Sequence, residues 1–226
     1  MTIPHATAGP VPTHTVIDPA TLDAAAAYRL LTGIVVPRPI AWITSVGRSG
    51  HVNLAPFSAF TMVANDPPMV GVNIGLRAGV PKDTARNIAE TGEYVVHVAV
   101  WADRETVHES SRAHGYEVDE AGELGLATVP GDLVAVPRLA DAPVALECRL
   151  SQQVEFGRAG ALFTVGEVVR LHVRTDLLQH GNKIDTVALD PLMRLAGPTY
   201  ARIGTTETLA PIGGAVSSRH ELQERG

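Results

Sequence analysis

The chain has 226 residues, with 18 Lys and Arg against 24 Asp and Glu for a formal net charge of −6, and 45% of its residues are hydrophobic. A chain of this size buries enough apolar surface to fold without disulfides, which excludes the disordered and collagen-like classes. Because the acidic balance comes without a cluster of Lys or Arg, we expect no nucleic-acid partner.

The cysteine count and the apolar pattern indicate the compartment. Cys148 is the only cysteine and cannot form an internal disulfide, which favours a reducing cytoplasm. No secretory signal begins the chain, and no run of about 18 apolar residues occurs, so we expect a soluble protein without membrane association. Residues 1–16 and 211–226 are expected to be flexible ends around one domain over residues 17–210.

The first predicted elements are a helix and a hairpin. The helix is predicted from Asp18, which caps its start, to Gly33, which ends it. A strand is expected over residues 39–46 because apolar and β-branched residues dominate there. Residues 47–50 are rich in glycine and predict a turn into an extended segment over 51–63. Together these segments predict an antiparallel pair.

A short buried strand, a loop and a second helix are predicted next. The strand spans residues 69–74 and the loop spans residues 76–81. The helix spans residues 83–90 and is ended by Gly92, a residue that tolerates the left-handed conformation of a helix end. Another strand is expected over residues 93–100.

The second half is predicted to return to β structure. A helix over 103–111 and a long irregular excursion over 113–138 precede two β-rich runs, 144–156 and 162–173, with a glycine-containing hairpin turn at 157–160. Strands do not alternate with helices as a doubly wound sheet requires. The fold class predicted is mainly β with peripheral helices, in a closed or nearly closed barrel.

Several common catalytic patterns are absent from the sequence. There is no Gly-x-Gly-x-x-Gly after a strand, no P-loop and no Gly-x-Ser-x-Gly, so we expect neither a dinucleotide-binding fold nor a serine nucleophile. His108 and His114 are six residues apart, which places them on different faces of a helix. We therefore expect no metal site, and His97 is interpreted as one face of a strand.

One helix start is a candidate anion site. Lys82 and Thr84 supply a cation and a hydroxyl beside the free amides of the helix that begins near Asp83. A phosphate is the natural ligand of such a group. The alternative is an ordinary helix capped by Asp83, with Lys82 in water.

Six segments in chain order resemble the flavin reductase-like family of FMN-binding split β-barrels, in its longer branch. The resemblance covers residues 28–204. It is carried by these segments: PRPIAW at 37–42, NLAPFSAF at 53–60, DPP at 66–68, PKDTARNI at 81–88, PVALEC at 143–148 and LDPLMRLAGPTYAR at 189–202. The resemblance implies a homodimer of six-stranded, Greek-key-like barrels with FMN near the subunit interface and NAD(P)H as the transient electron donor.

The resemblance also assigns residues to the FMN site. Lys82 and Thr84 match the phosphate positions, with Arg77 and Asn87 beside them, and Tyr200 covers the ring or the dimer seam. The strand beside the ribityl chain and ring contributes four residues: Asn53, Ala55, Ser58 and Phe60. Arg38 is a further candidate. The alternatives are a solvated loop for Arg77, core packing for Phe60, a turn for Arg38 and a packing clamp for Tyr200.

The implied function is an FMN-dependent oxidoreductase that passes hydride from NAD(P)H through bound FMN to free flavin or another acceptor, with a monooxygenase as a possible partner. No catalytic side chain is expected, because the cofactor carries the chemistry. The alternatives are an electron carrier and a non-catalytic flavin-binding protein. His97 and Ala196 depart from residues frequent in the family, which leaves the substrate open.

Overall fold

Seven antiparallel strands form the body of the protein in the computed structural model, which describes residues 13–48, 50–77 and 79–210. Across the sheet the order of the strands is β2, β1, β5, β6, β7, β4, β3. Their bounds are β1 Ala41–Val46, β2 Val52–Phe57, β3 Phe60–Asn65, β4 Pro68–Ile74, β5 Glu93–Val98, β6 Val144–Phe156 and β7 Ala161–Val173.

The two edge strands, β2 and β3, follow each other directly in the chain. Only Ser58 and Ala59 separate them, so the sheet curls until both edges meet at this corner. The Asn73 N–H donates to the Ala59 carbonyl oxygen across the corner at 2.9 Å. The predicted mainly β, split-barrel fold is confirmed. The strand count differs from the predicted six: the extended segment over 51–63 breaks at Ser58 into two strands, so the sheet has seven strands, and no ladder of hydrogen bonds closes it between β2 and β3 in the described part of the chain.

Strand β1 is buried on both faces. Ala41 and Ile43 point into the interior of the curled sheet, where Ile88 of helix α2 (Asp83–Thr91) packs on them. Ile40 and Trp42 point outward and pack in a second core. The alternation follows from the two-residue period of a strand. The outer core is covered by residues 99–142, which contain the excursion predicted only as irregular chain.

Within the described residues, five α-helices surround the sheet: α1 Ala24–Ile34, α2 Asp83–Thr91, α3 Arg104–Glu109, α4 Glu120–Glu123 and α5 Thr186–Leu189. The predicted start and end of α1 are wrong. Asp18 caps a separate 3-10 turn, and the cap of α1 is Asp23, whose carboxylate accepts the Ala26 N–H at 2.6 Å. Gly33 lies inside the helix, which ends at Ile34.

The other helix and hairpin predictions hold more closely. Helix α2 ends at Gly92, whose φ of 73° is the left-handed conformation expected there. The turn between β6 and β7 has Gly157 and Gly160 with φ of 68° and 67°. The loop predicted over 76–81 is a tight hairpin of two-residue strands, 76–77 and 80–81.

No helix within the described ranges is long and apolar enough to cross a membrane. The predicted flexible ends lie mostly outside the described residues, at 1–12 and 211–226. The predicted domain limits, 17 and 210, stay predictions.

Candidate active site

A cavity of about 90 Å³ opens between the edge strand β2 and the start of helix α2. Its walls come from β2, from α2 and the hairpin before it, and from the segment that joins α3 to α4. The lining residues are Asn53, Ala55, Pro56, Phe57, Arg77, Lys82, Asp83, Thr84, Ser110, Ser111, Arg112 and Glu120. Five of the ten predicted site residues therefore share one cavity: Asn53, Ala55, Arg77, Lys82 and Thr84.

The start of helix α2 is left open for an anion. Lys82 occupies the cap position, and no side chain in the described part of the chain caps the helix there. Asp83 instead pairs with Arg86, at 2.6 Å, so the alternative in which Asp83 caps the helix does not apply. The first N–H groups of a helix carry partial positive charge, and here they adjoin the cavity.

Lys82 is partly buried beside the cavity. Its Nζ lies 5.3 Å from the centroid of the Phe57 ring. Burial, followed by the nearby positive charge of Arg77, lowers the pKa of Lys82. Both effects destabilise the charged form of Lys82 when the cavity holds no anion. An anion that enters the cavity is therefore stabilised by two positive side chains, Lys82 and Arg77, which repel each other in its absence.

A hydrogen-bond network holds Thr84 in place. Thr84 is buried, and its Oγ1 accepts from Asn53 Nδ2 at 2.8 Å. The same Nδ2 lies 3.2 Å from Ser45 Oγ, which also accepts from Asn87 Nδ2 at 3.3 Å. Because Thr84 Oγ1 accepts from Asn53, its own proton is left to donate to a ligand. Asn87 thus supports the site from behind without lining the cavity.

The remaining predicted residues lie elsewhere. Arg38 donates to the carbonyl oxygens of Thr32, Val35 and Leu195, and so ties the end of α1 to the C-terminal segment. Ser58 stands at the corner between β2 and β3. Phe60 packs against the inner core.

Tyr200 lines a second, larger cavity of about 440 Å³ next to α3. His108 Nδ1 lies 3.0 Å from its hydroxyl oxygen. The guanidinium of Arg194 lies 4.4 Å from the centroid of its ring. Since neither partner lines the first cavity, the structure does not bring Tyr200 together with Lys82 and Thr84.

Sequence reasoning missed the residues that close the cavity from outside. Ser110, Ser111 and Arg112 lie in the segment that follows α3, and Glu120 is the first residue of α4. Glu120 is separated from its hydrogen-bond partner Leu54 by 66 positions, and no local pattern indicates that contact. In the sequence, the only indication that these residues form part of a site is the high proportion of polar residues in a segment that has no helical or strand periodicity.

His97 points away from this cavity into the outer core. Its Nδ1 lies 2.8 Å from the Trp42 carbonyl oxygen, and its Nε2 accepts the Leu139 N–H at 2.9 Å. Burial lowers the pKa of His97 to about 4. The neutral ring therefore links β1, β5 and the covering segment through hydrogen bonds. This agrees with the expectation that His97 simply belongs to one face of a strand.

A second polar cluster joins Asp132, Glu147 and His172. Glu147 is fully buried and accepts the N–H groups of Asp132 and Leu133, each at 2.7 Å. His172 Nε2 lies 2.7 Å from the same carboxylate. Burial opposes the charge of Glu147, but these hydrogen bonds outweigh it and lower its pKa. The cluster has a structural role, since the Glu147 carboxylate holds the loop at 131–133 through these hydrogen bonds.

Comparison with known proteins gives consistent matches. A family model described as "Flavin reductase like domain" matches residues 33–192. BH2278 of Halalkalibacterium halodurans is 42% identical over 198 residues, which are 85% of this chain and 94% of the relative.

Two solved structures are similar along nearly the whole chain. Nitrilotriacetate monooxygenase component B from Bacillus cereus has a TM-score of 0.84 and 33% identity, and the match covers 88% of this chain and 100% of that one. The 2-nitrobenzoate 2-nitroreductase NbaA from Pseudomonas fluorescens has a TM-score of 0.78 and 30% identity, with 89% and 100% covered.

Proposed function

The chain belongs to the flavin reductase-like family, and from this premise we propose that it is an FMN-dependent oxidoreductase that takes hydride from NAD(P)H and passes electrons to free flavin or another acceptor. The observation that carries the proposal is the open start of helix α2, where Lys82, Thr84 and Arg77 meet in one cavity.

The chemistry of the donors fits a phosphomonoester. Lys82 and Arg77 supply positive charge, Thr84 supplies a hydroxyl proton, and the start of α2 supplies N–H groups. Charge-assisted hydrogen bonds contribute about 1.5–3 kcal/mol each, so two or three of them support micromolar binding once an apolar contact is added. We therefore assign the FMN phosphate to these residues.

The volume of the cavity limits what it encloses. By this measure one water needs roughly 10–15 Å³, so 90 Å³ holds a phosphate-sized group and not a three-ring system. The ring is thus assigned to the mouth of the cavity along β2, where Asn53 and Ala55 line the wall. Bound FMN would supply the hydride and electron transfer, while these residues orient it.

We propose that the chain is a homodimer whose second subunit covers the exposed side of the site. Helix α1 has no buried residue, and Tyr28, Leu31 and Ile34 are 68%, 60% and 73% exposed. Met62 on the edge strand β3 is 75% exposed. An isolated helix of 11 residues is marginal in water, so an apolar partner surface is needed to hold it.

The similar proteins widen the range of acceptors. One is named as a monooxygenase component and another as a nitroreductase. Transfer to a partner monooxygenase and direct reduction of a small organic molecule are therefore both within the proposal. The cytoplasm remains the proposed compartment, supported by the single, buried thiol of Cys148.

Anaerobic rapid mixing of FMN-loaded protein with NADH or NADPH tests the reductase proposal. We expect the flavin absorbance near 450 nm to bleach within seconds. Bleaching by a reduced protein donor but by neither nucleotide favours the electron carrier. Failure of every donor to cycle the flavin favours a binding protein without turnover.

A further inference from the structure

Glu120 is a buried carboxyl group inside the cavity that the proposed chemistry does not use. It projects from the short helix α4, which packs against β2, and its side chain lines the cavity together with Lys82 and Thr84. Only 7% of Glu120 is exposed. A carboxylate in a cavity suited to a phosphate is unexpected, because two anions repel each other.

The hydrogen bonds of Glu120 leave half of the carboxyl group available. Its Oε2 accepts the Leu54 N–H at 2.6 Å, on the open side of the edge strand. Among the described residues, nothing donates a hydrogen bond to Oε1, and Glu120 forms no ion pair within 4 Å. One oxygen atom therefore holds β2, and the other is left for a ligand.

The charges that face Glu120 come from three elements. Asp83 of α2 and Asp119 beside α4 are negative, whereas Arg77 of the preceding hairpin is positive. Lys82 and Arg112 line the same cavity. Burial is the largest influence, followed by the opposing Leu54 hydrogen bond, and the pKa of Glu120 is raised to about 7. Near neutral pH this group is therefore partly protonated and responds to any added charge.

We propose that Glu120 is a proton-linked ligand of the cofactor site: its carboxyl group takes up a proton when a phosphorylated flavin enters, and in its neutral form it donates a hydrogen bond to that ligand. This inference rests on the proposed FMN site. An entering dianion favours the protonated form of a neighbouring carboxyl group, and a protonated carboxyl is a hydrogen-bond donor. By linkage, FMN binding then weakens as the pH rises.

Calorimetric titration of the wild-type protein with FMN tests this directly. At pH 7.5, in two buffers with different ionisation enthalpies, we expect net proton uptake of up to about 0.8 per FMN bound, since a group with a pKa of about 7 is then mostly ionised. Uptake of no proton, or proton release, overturns the inference. FMN that fails to bind at any pH contradicts the proposed function itself, and the inference falls with it.

Variants assign the proton to Glu120. Between pH 7.5 and 8.5 the FMN dissociation constant of wild type is expected to rise up to about tenfold, and that rise should vanish in Glu120→Gln. Glu123→Gln, an exposed change on the same helix, should keep the wild-type dependence. Riboflavin, which lacks the phosphate, should bind without this dependence. An unchanged pH profile in Glu120→Gln overturns the assignment.

Discussion

Asn53 Nδ2 lies 2.8 Å from Thr84 Oγ1, and this contact links the edge strand β2 to the first turn of helix α2. Both residues line the cavity, and the hydrogen bond sets the direction in which the Thr84 hydroxyl donates. A donor on Asn53 is therefore as important to the proposed phosphate site as the hydroxyl itself.

Asn53→Asp tests this orientation. An aspartate at position 53 accepts the Thr84 proton instead of donating to Thr84, and it adds a negative charge beside the phosphate. We expect the FMN dissociation constant to rise at least about tenfold, with a smaller change for riboflavin. Fluorescence titration measures both. Asn182→Asp, an equal charge change at an exposed turn, is the control; equal losses for both flavins would refute the role of Asn53.

The buried ring of His97 makes stability depend on pH. Its pKa is about 4 in the folded protein, against an ordinary value of 6.5. Above pH 6.5 the neutral ring contributes fully to the free energy of unfolding. Between pH 6.5 and 4 that contribution falls, because His97 is protonated in the unfolded chain while it stays neutral in the folded protein. The free energy of unfolding should drop by about 3 kcal/mol over this range on account of His97.

Urea unfolding at pH 7.5, 5.5 and 4.5 measures that loss. His97→Gln retains a donor and an acceptor but does not titrate, so its free energy of unfolding should fall less with acid than that of wild type. His180→Gln, at an exposed position, should behave as wild type. A His97→Gln protein with the full acid sensitivity of wild type contradicts the role given to the ring.

Helix α1 is predicted to lie in a subunit interface. Ile34→Glu places a charge on an exposed apolar position of this helix, where Ile34 is 73% exposed. Light scattering should give wild type a mass of twice the 23.8 kDa chain and the variant a mass near that of one chain. Val187→Glu, on α5 and 61% exposed, should leave the mass unchanged. A monomeric wild type rules out the interface.

The parts of the fold that the sequence predicted correctly depend on local rules. The run 144–156 matches β6 in both bounds because alternation and the glycines at 157 and 160 are visible without the rest of the chain. The start of α1 was misplaced because Asp18 and Asp23 carry the same capping signal, and only the structure shows which one accepts the N–H of a longer helix.

The parts of the site that were missed depend on long-range contacts. Lys82 and Thr84 could be predicted because residues 81–92 contain all the local signals that define the start and end of helix α2. Glu120, in contrast, reaches the cavity only because the segment 101–142 folds over the outer face of β1 and β2. His97 is buried by the same segment, through Leu139. No periodicity within that segment indicates the face it covers.

The affinity of the protein for FMN relative to riboflavin tests the central claim, since the two ligands differ only in the phosphate. Lys82→Met combined with Thr84→Val removes the cation and the hydroxyl while keeping the size of both side chains. We expect the dissociation constant for FMN to rise at least about 100-fold in the double variant, whereas that for riboflavin should change less than about threefold. An FMN affinity equal to that of wild type would show that the phosphate is not held at the start of helix α2.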